Sequence, residues 1–140
     1  MSNITTTIEQ SKHLLELGLD SKSADMCWVK DYIGQWVLIA DTQINIRRRF
    51  EGMYEYSGFK WQEHIELVPA WSLSALLEVM PNNDYWEICL WQYKCQRWQC
   101  VFDDVEFSNG ETKAFVADAP IDAAYEMVCW LLTNNLITNY

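Results

Sequence analysis

The segment from Pro120 to Thr133 constrains the fold most, because at helical spacing it is apolar on two faces at once. Pro120 suits the first turn of a helix, where its missing N–H costs nothing, and Asp122 puts negative charge at the helix N-terminus. Ile121, Ala124, Tyr125, Val128, Leu131 and Leu132 make one apolar face, and Ala123, Met127 and Trp130 make another. Only the stripe Asp122, Glu126, Cys129 and Thr133 is not strongly apolar. A helix of this kind is covered on both sides, either within one domain or against a second subunit.

What covers it is foreshadowed upstream. From Tyr85 the chain is strand-like. With Cys95-Gln96 as the turn, Tyr93 faces Trp98, Trp91 faces Cys100 and Cys89 faces Phe102 on one apolar side. Asn109-Gly110 favours a type I′ hairpin that sets Val105 against Ala114 and Glu106 against Lys113. The expected result is a three-stranded antiparallel meander.

The first half carries clear local signals. Thr7 with Gln10 forms a capping box for a helix over about Ile8 to Leu17, and Gly18 is the natural residue to end it. Met26 to Val29 and Gln35 to Ala40 read as a hairpin of two strands. Ile44 to Phe50 and Phe59 to Ile65 are candidate strands with Ser57-Gly58 turning between them, their pairing left open by interspersed charge. Ser72 caps a short helix from Leu73 to Met80, with Trp71 placed to staple onto Leu76, and Pro81 stops it before an Asn82-Asn83-Asp84 turn.

A chain of 140 residues that is half apolar, with 5 Gly and 3 Pro, has the composition of one packed domain spanning residues 1–140. The expected class is α+β. An antiparallel sheet of four to six strands packs against an N-terminal and a C-terminal helix, with a short central helix closing one end. Most of the eight tryptophans should be inside, Trp91, Trp98 and Trp130 among them.

Charge narrows the partners. The chain carries 20 acidic and 10 basic side chains, net −10. Residues 50–93 hold seven acids against Lys60, and residues 99–140 hold seven against Lys113. Such a chain lacks the Lys and Arg that displace counterions from phosphate, so direct nucleic-acid and anionic-membrane binding are not expected. Arg47, Arg48 and Arg49 are the one basic run, and as a strand only two of them share a face. Met1 to Thr7 lacks the basic and apolar regions of a secretion signal, and no run approaches ~20 apolar residues, which points to a cytoplasmic protein. The odd set Cys27, Cys89, Cys95, Cys100 and Cys129 reads as reduced thiols in apolar surroundings.

No catalytic or metal-ligating residue, and no cofactor, is assigned. Cys89, Cys95 and Cys100 lack zinc-knuckle spacing, and the two histidines, His13 and His64, sit among charged neighbours. Asp103, Asp104 and Glu106 alternate as a solvated acidic face rather than in a cation-binding loop. Trp61, flanked by Lys60, Gln62 and Glu63, is the tryptophan expected at the surface, where an indole commonly anchors an interface. Trp61, Asp103, Asp104 and Glu106 are therefore the candidate partner-binding residues.

Three blocks, SKHLLELGLDSKSADMCW, PAWSLSALLEVMP and DAPIDAAYEMVCWLL, together about a third of the chain, resemble a group of small uncharacterised proteins of Bacteroides-type chromosomes and prophages. The resemblance implies no activity and no functional residues. It implies a context, that of accessory products of phage or integrated elements. The expected function is then a non-enzymatic acidic protein that binds a basic host or phage protein, as an inhibitor or an imitator of DNA charge. The competing readings are a small-molecule enzyme or binding domain using an aromatic pocket with His64 or cysteines as its polar groups, and a scaffold that oligomerises through the C-terminal helix.

Overall fold

The computed structural model of the chain describes residues 4–81, 86–92, 96–104 and 112–137. Among these residues it forms four α-helices and six strands, an α+β architecture in which the strands divide between two three-stranded antiparallel sheets.

Helix α1 (Ile8–Glu16) starts where Thr7 Oγ1 accepts the Gln10 N–H at 3.1 Å and Gln10 Oε1 accepts the Thr7 N–H at 3.0 Å. It ends at Gly18, whose φ of +99° lets its N–H reach the Leu15 carbonyl while the Leu19 N–H reaches that of Leu14. Strands β1 (Met26–Lys30) and β2 (Trp36–Ile39) form the expected hairpin, and β1 pairs on its other edge with β3 (Glu66–Ala70).

Between β2 and β3 the expected strand over Ile44 to Phe50 is instead part of helix α2 (Gln43–Tyr54). Thr42 Oγ1 caps it on the Asn45 N–H, and Ile46, Phe50 and Tyr54 recur every four residues on its inner side, where Ile46 is buried. Ile44, which suggested alternation, is exposed, and the three arginines suit a helix better than a strand. After the Ser57-Gly58 turn, with Gly58 at φ +74°, the second candidate strand is replaced by a single 3₁₀ turn over Trp61–Glu63.

Helix α3 (Leu73–Val79) is capped by Ser72 as expected, its Oγ accepting the Ala75 N–H at 3.2 Å. Strands β4 (Trp86–Gln92), β5 (Trp98–Asp104) and β6 (Thr112–Ala117) make the meander, and α4 (Pro120–Thr133) covers it. The expected β4–β5 register is off by one: Ile88 faces Phe102, Leu90 faces Cys100 and Trp91 faces Gln99. A slip of one residue exchanges the two sides of a strand, so Ile88 and Leu90 point to the core while Cys89 and Trp91 face outward, Trp91 with 50% exposure. The β5–β6 register also differs, setting Lys113 against Phe102 and Ala114 against Val101 rather than against Glu106 and Val105. Residues 93–95 and 105–111 lie outside the described residues, and with them Cys95 of the expected Cys95-Gln96 turn, the expected Asn109-Gly110 turn and Glu106, as does the expected turn at 82–84.

The larger core gathers Leu14, Trp71, Leu76, Cys100, Phe102 and the buried faces of α4. Ile121, Ala124, Val128, Leu131 and Leu132 on one side of α4 and Ala123 and Met127 on the other are all buried within one chain. Tyr125, Cys129 and Trp130 on the same helix are half-buried. A polar clasp fixes the N-terminal segment to this core: Thr6 Oγ1 accepts the Trp71 N–H at 3.1 Å, and the Thr5 hydroxyl and Thr6 amide both donate to the Trp71 carbonyl at 2.9 Å. The smaller core, Cys27, Val29 and Ile46 with Ile39, Phe50, Ile65 and Leu67 at its margin, lies between α2 and the β1–β3 sheet. Among the described residues no helix is long and apolar enough to cross a membrane.

Candidate functional site

The smaller core ends in a cleft built from two loops. The β1–β2 loop is held by Asp31, whose Oδ1 accepts the Ile33 N–H at 3.0 Å and the Gln35 N–H at 2.9 Å, and by Gly34 at φ +87°, whose N–H reaches the Asp31 carbonyl. This Asx-type turn pushes Tyr32 and Ile33 into solvent. On the other side, the Ser57 hydroxyl donates to the Tyr54 carbonyl at 3.0 Å and accepts the Phe59 N–H at 3.1 Å, so the chain doubles back at Gly58. Phe59 lands on Tyr54, ring centroids 4.7 Å apart and planes at 54°, and His64 stacks behind Phe59 at 5.1 Å and 12°.

Trp61 holds this arrangement from beneath. Its carbonyl accepts the N–H groups of His64 and Ile65, and its indole packs 5.3 Å from the Phe50 ring. The expectation of an exposed Trp61 is thus corrected, since only 4% of it is accessible. The 3₁₀ turn sends this one side chain inward while Lys60, Gln62 and Glu63 stay in water, so polar neighbours in sequence did not mean a polar environment.

Tyr32, Tyr54, Phe59, His64 and Ile65 line a hollow of about 470 Å³. Tyr32, His64 and Ile65 also border a second, more polar hollow of about 440 Å³ that adds Lys30, Asp31, Glu63 and Glu66. His64 therefore sits where aromatic and carboxylate walls meet.

Asp103 is placed elsewhere. Asp103 is exposed on the outer face of the β4–β6 sheet, where its Oδ1 accepts the Thr112 hydroxyl at 3.2 Å and it lies opposite Glu87 in register. Asp104 ends β5, and Glu106 lies outside the described residues. Trp61 lies in the 3₁₀ turn that precedes β3, whereas Asp103 lies on β5 of the other sheet.

The four thiols among the described residues ionise less readily than a free cysteine. Burial pushes Cys27 and Cys129 up to about 11 and Cys100 up to about 12, and partial desolvation followed by the Glu87 carboxylate, 3.6 Å from its sulfur, raises Cys89. Among the described residues no three His, Cys, Asp or Glu side chains are gathered as a metal would require.

No protein-family model, curated protein or solved structure matches the chain.

Proposed function

We propose that this is a non-enzymatic interaction domain that docks on a basic partner protein, in the manner of an accessory product of a phage or mobile element. One observation carries the reading: of the four most exposed large apolar side chains among the described residues, Tyr32 (79%) lines the cleft, Ile33 follows it in the same loop, and Met53 and Tyr56 (93%) flank the lining residue Tyr54 at the end of α2. Apolar side chains left in water at one end of a soluble domain mark an interface, and tyrosine is among the residues that dominate binding energy there. The net charge of −10 supports a basic partner by steering and by repelling acidic competitors. The cross-strand juxtaposition of Glu87 and Asp103, two like charges whose pairing disfavours the sheet, adds to that field.

The test is affinity capture from the producing cell with the full chain as bait, in parallel with Tyr32→Ala/Phe59→Ala and with Asp103→Lys. A basic protein retained by the parent, lost with the aromatic variant and weakened with the charge reversal supports the reading. Recovery of the same proteins by all three baits contradicts it.

A second reading, a small-molecule binding domain, is favoured by the size of the hollow, which falls in the ~300–1,000 Å³ range of ligand pockets. Under it, a small metabolite protects the fold against heat, and Phe59→Ala abolishes that protection.

A further inference from the structure

We infer that the cleft is a seat for an organic cation, the guanidinium of an arginine presented by the partner's chain. This rests on the docking reading and names the chemistry of the contact.

The walls have the right sign. Tyr54 and Phe59 meet at 54°, forming a corner of two aromatic surfaces, and Tyr32 lines the same hollow from the opposite loop. Aromatic faces carry negative charge density and attract a cation placed over them, more strongly as water is excluded. The fold already uses this contact twice, with Lys30 Nζ 5.7 Å from the Trp36 ring centre and Lys113 Nζ 5.5 Å from that of Phe115.

The rim agrees. The adjoining hollow sets three carboxylate side chains, Asp31, Glu63 and Glu66, against the single ammonium of Lys30, and that ammonium already lies over Trp36. An anionic ligand meets excess negative charge here. A purely apolar ligand fills the aromatic hollow and leaves the carboxylates unused. An arginine matches both halves: its methylene stem lies along Ile65 and the rings, and its planar head stacks on a ring or reaches a carboxylate in a forked hydrogen bond. Arginine is favoured over lysine because a flat guanidinium is more weakly hydrated and stacks.

The experiment is a calorimetric titration of the full chain, with amide shifts followed by NMR. It uses a capped peptide of alternating glycine and arginine, its glutamate counterpart and its norleucine counterpart. The expected result is binding of the arginine peptide alone, with shifts confined to residues 31–34 and 54–66. Affinity falls about tenfold in Tyr32→Ala and in Phe59→Ala, and about threefold in Glu63→Gln. Tyr32 is so exposed that its variant keeps the fold, which circular dichroism verifies. Equal binding of the norleucine peptide, or arginine binding unchanged by both aromatic variants, overturns the inference. Loss of a captured partner in Tyr32→Ala/Phe59→Ala without any arginine-peptide binding removes the cation seat and leaves the docking reading. Arginine binding at the cleft with capture unchanged does the reverse.

Discussion

Around α4 the chain withdraws Leu14, Trp71, Leu76, Ile121, Met127 and Leu131 completely from water, whereas around α2 the buried set is smaller, Cys27, Val29 and Ile46 with Trp61 against Phe50, and Phe50, Ile39, Ile65 and Leu67 are half covered. The two regions have comparable sheets, each of three antiparallel strands. They differ in the cover. The β4–β6 sheet is covered by a helix apolar on two sides, itself backed by α1 and α3, while the helix over the β1–β3 sheet carries three consecutive arginines and a single buried residue. Apolar side chains that the smaller core cannot enclose are left at its end, and there they form the cleft. The contrast separates a part of the molecule that encloses its apolar side chains from a part that leaves them in water, which is where the proposed docking surface lies.

The largest expected effect tests the holding part. Leu131→Ala removes a fully buried side chain from α4 and should cost about 2–5 kcal/mol, read as a lower denaturation midpoint for the whole chain. A cost under about 1 kcal/mol would mean that α4 is not the centre of the fold. Ile46→Ala should fall at the lower end of the same range, about 2 kcal/mol, because its surroundings are already partly wet. Its signature is regional: hydrogen exchange should speed up in α2 and β1–β3 while α4 amides stay protected. Uniform acceleration would show instead that the two cores melt as one.

Gly58→Ala should cost about 1–2 kcal/mol. The cause is the +74° φ alone, since a Cβ there would meet nothing within 4 Å. Gly58→Asn should cost less, because asparagine tolerates that region, and a reversed order would remove the turn as the element that seats Phe59 on Tyr54.

The smallest effect is electrostatic. The Asp41 carboxyl is held below its ordinary pKa first by the Asn45 side chain, then by the Thr42 amide and the Arg49 guanidinium at 2.8 Å. A lowered folded-state pKa contributes stability above the unfolded value that is lost as pH falls through the folded one. Asp41→Asn should therefore lower the melting temperature slightly near neutral pH, and the difference should shrink as the pH falls below the ordinary carboxylate range and the Asp41 carboxyl takes up its proton. A difference that persists in acid would assign the effect to the α2 cap geometry rather than to charge.

Much of the scaffold was legible because its signals are local. The Thr7–Gln10 box, Gly18, the Ser72 cap, Pro120 and the β1–β2 hairpin each depend on residues a few positions apart, and each stands where the sequence places it. The register of β4 was not legible, because apolar side chains occur at both parities: Ile88 and Leu90 on one side, Cys89 and Trp91 on the other. Alternation alone does not choose between them. Packing on α4 does. Helix α2 was hidden for a similar reason, since Ile44-Asn45-Ile46 alternates briefly while the four-residue spacing of Ile46, Phe50 and Tyr54 needs the longer view.

The cleft was only half visible. His64 or a cysteine was expected as the polar group of an aromatic pocket, and His64 borders the hollow while no cysteine lines it. Tyr32 and Phe59 were missed, and Trp61 was assigned to the wrong side of the surface. A signal for the first two was present: Tyr32-Ile33 lies between Asp31 and Gly34, and Phe59 follows Ser57-Gly58, so bulky apolar residues occupy turns that normally hold polar ones. Trp61 could not be placed this way, because a 3₁₀ turn buries one residue and exposes its neighbours with no periodicity to announce it.

The proposed division of labour is tested most directly by mapping amide hydrogen exchange with and without the partner that the affinity capture is expected to recover. Added protection concentrated in residues 31–34 and 54–66, with the outer faces of α4 and the β4–β6 sheet unchanged, is the result expected. Protection centred on the sheet bearing Glu87 and Asp103, with the aromatic end exchanging as freely as in the isolated chain, would contradict it.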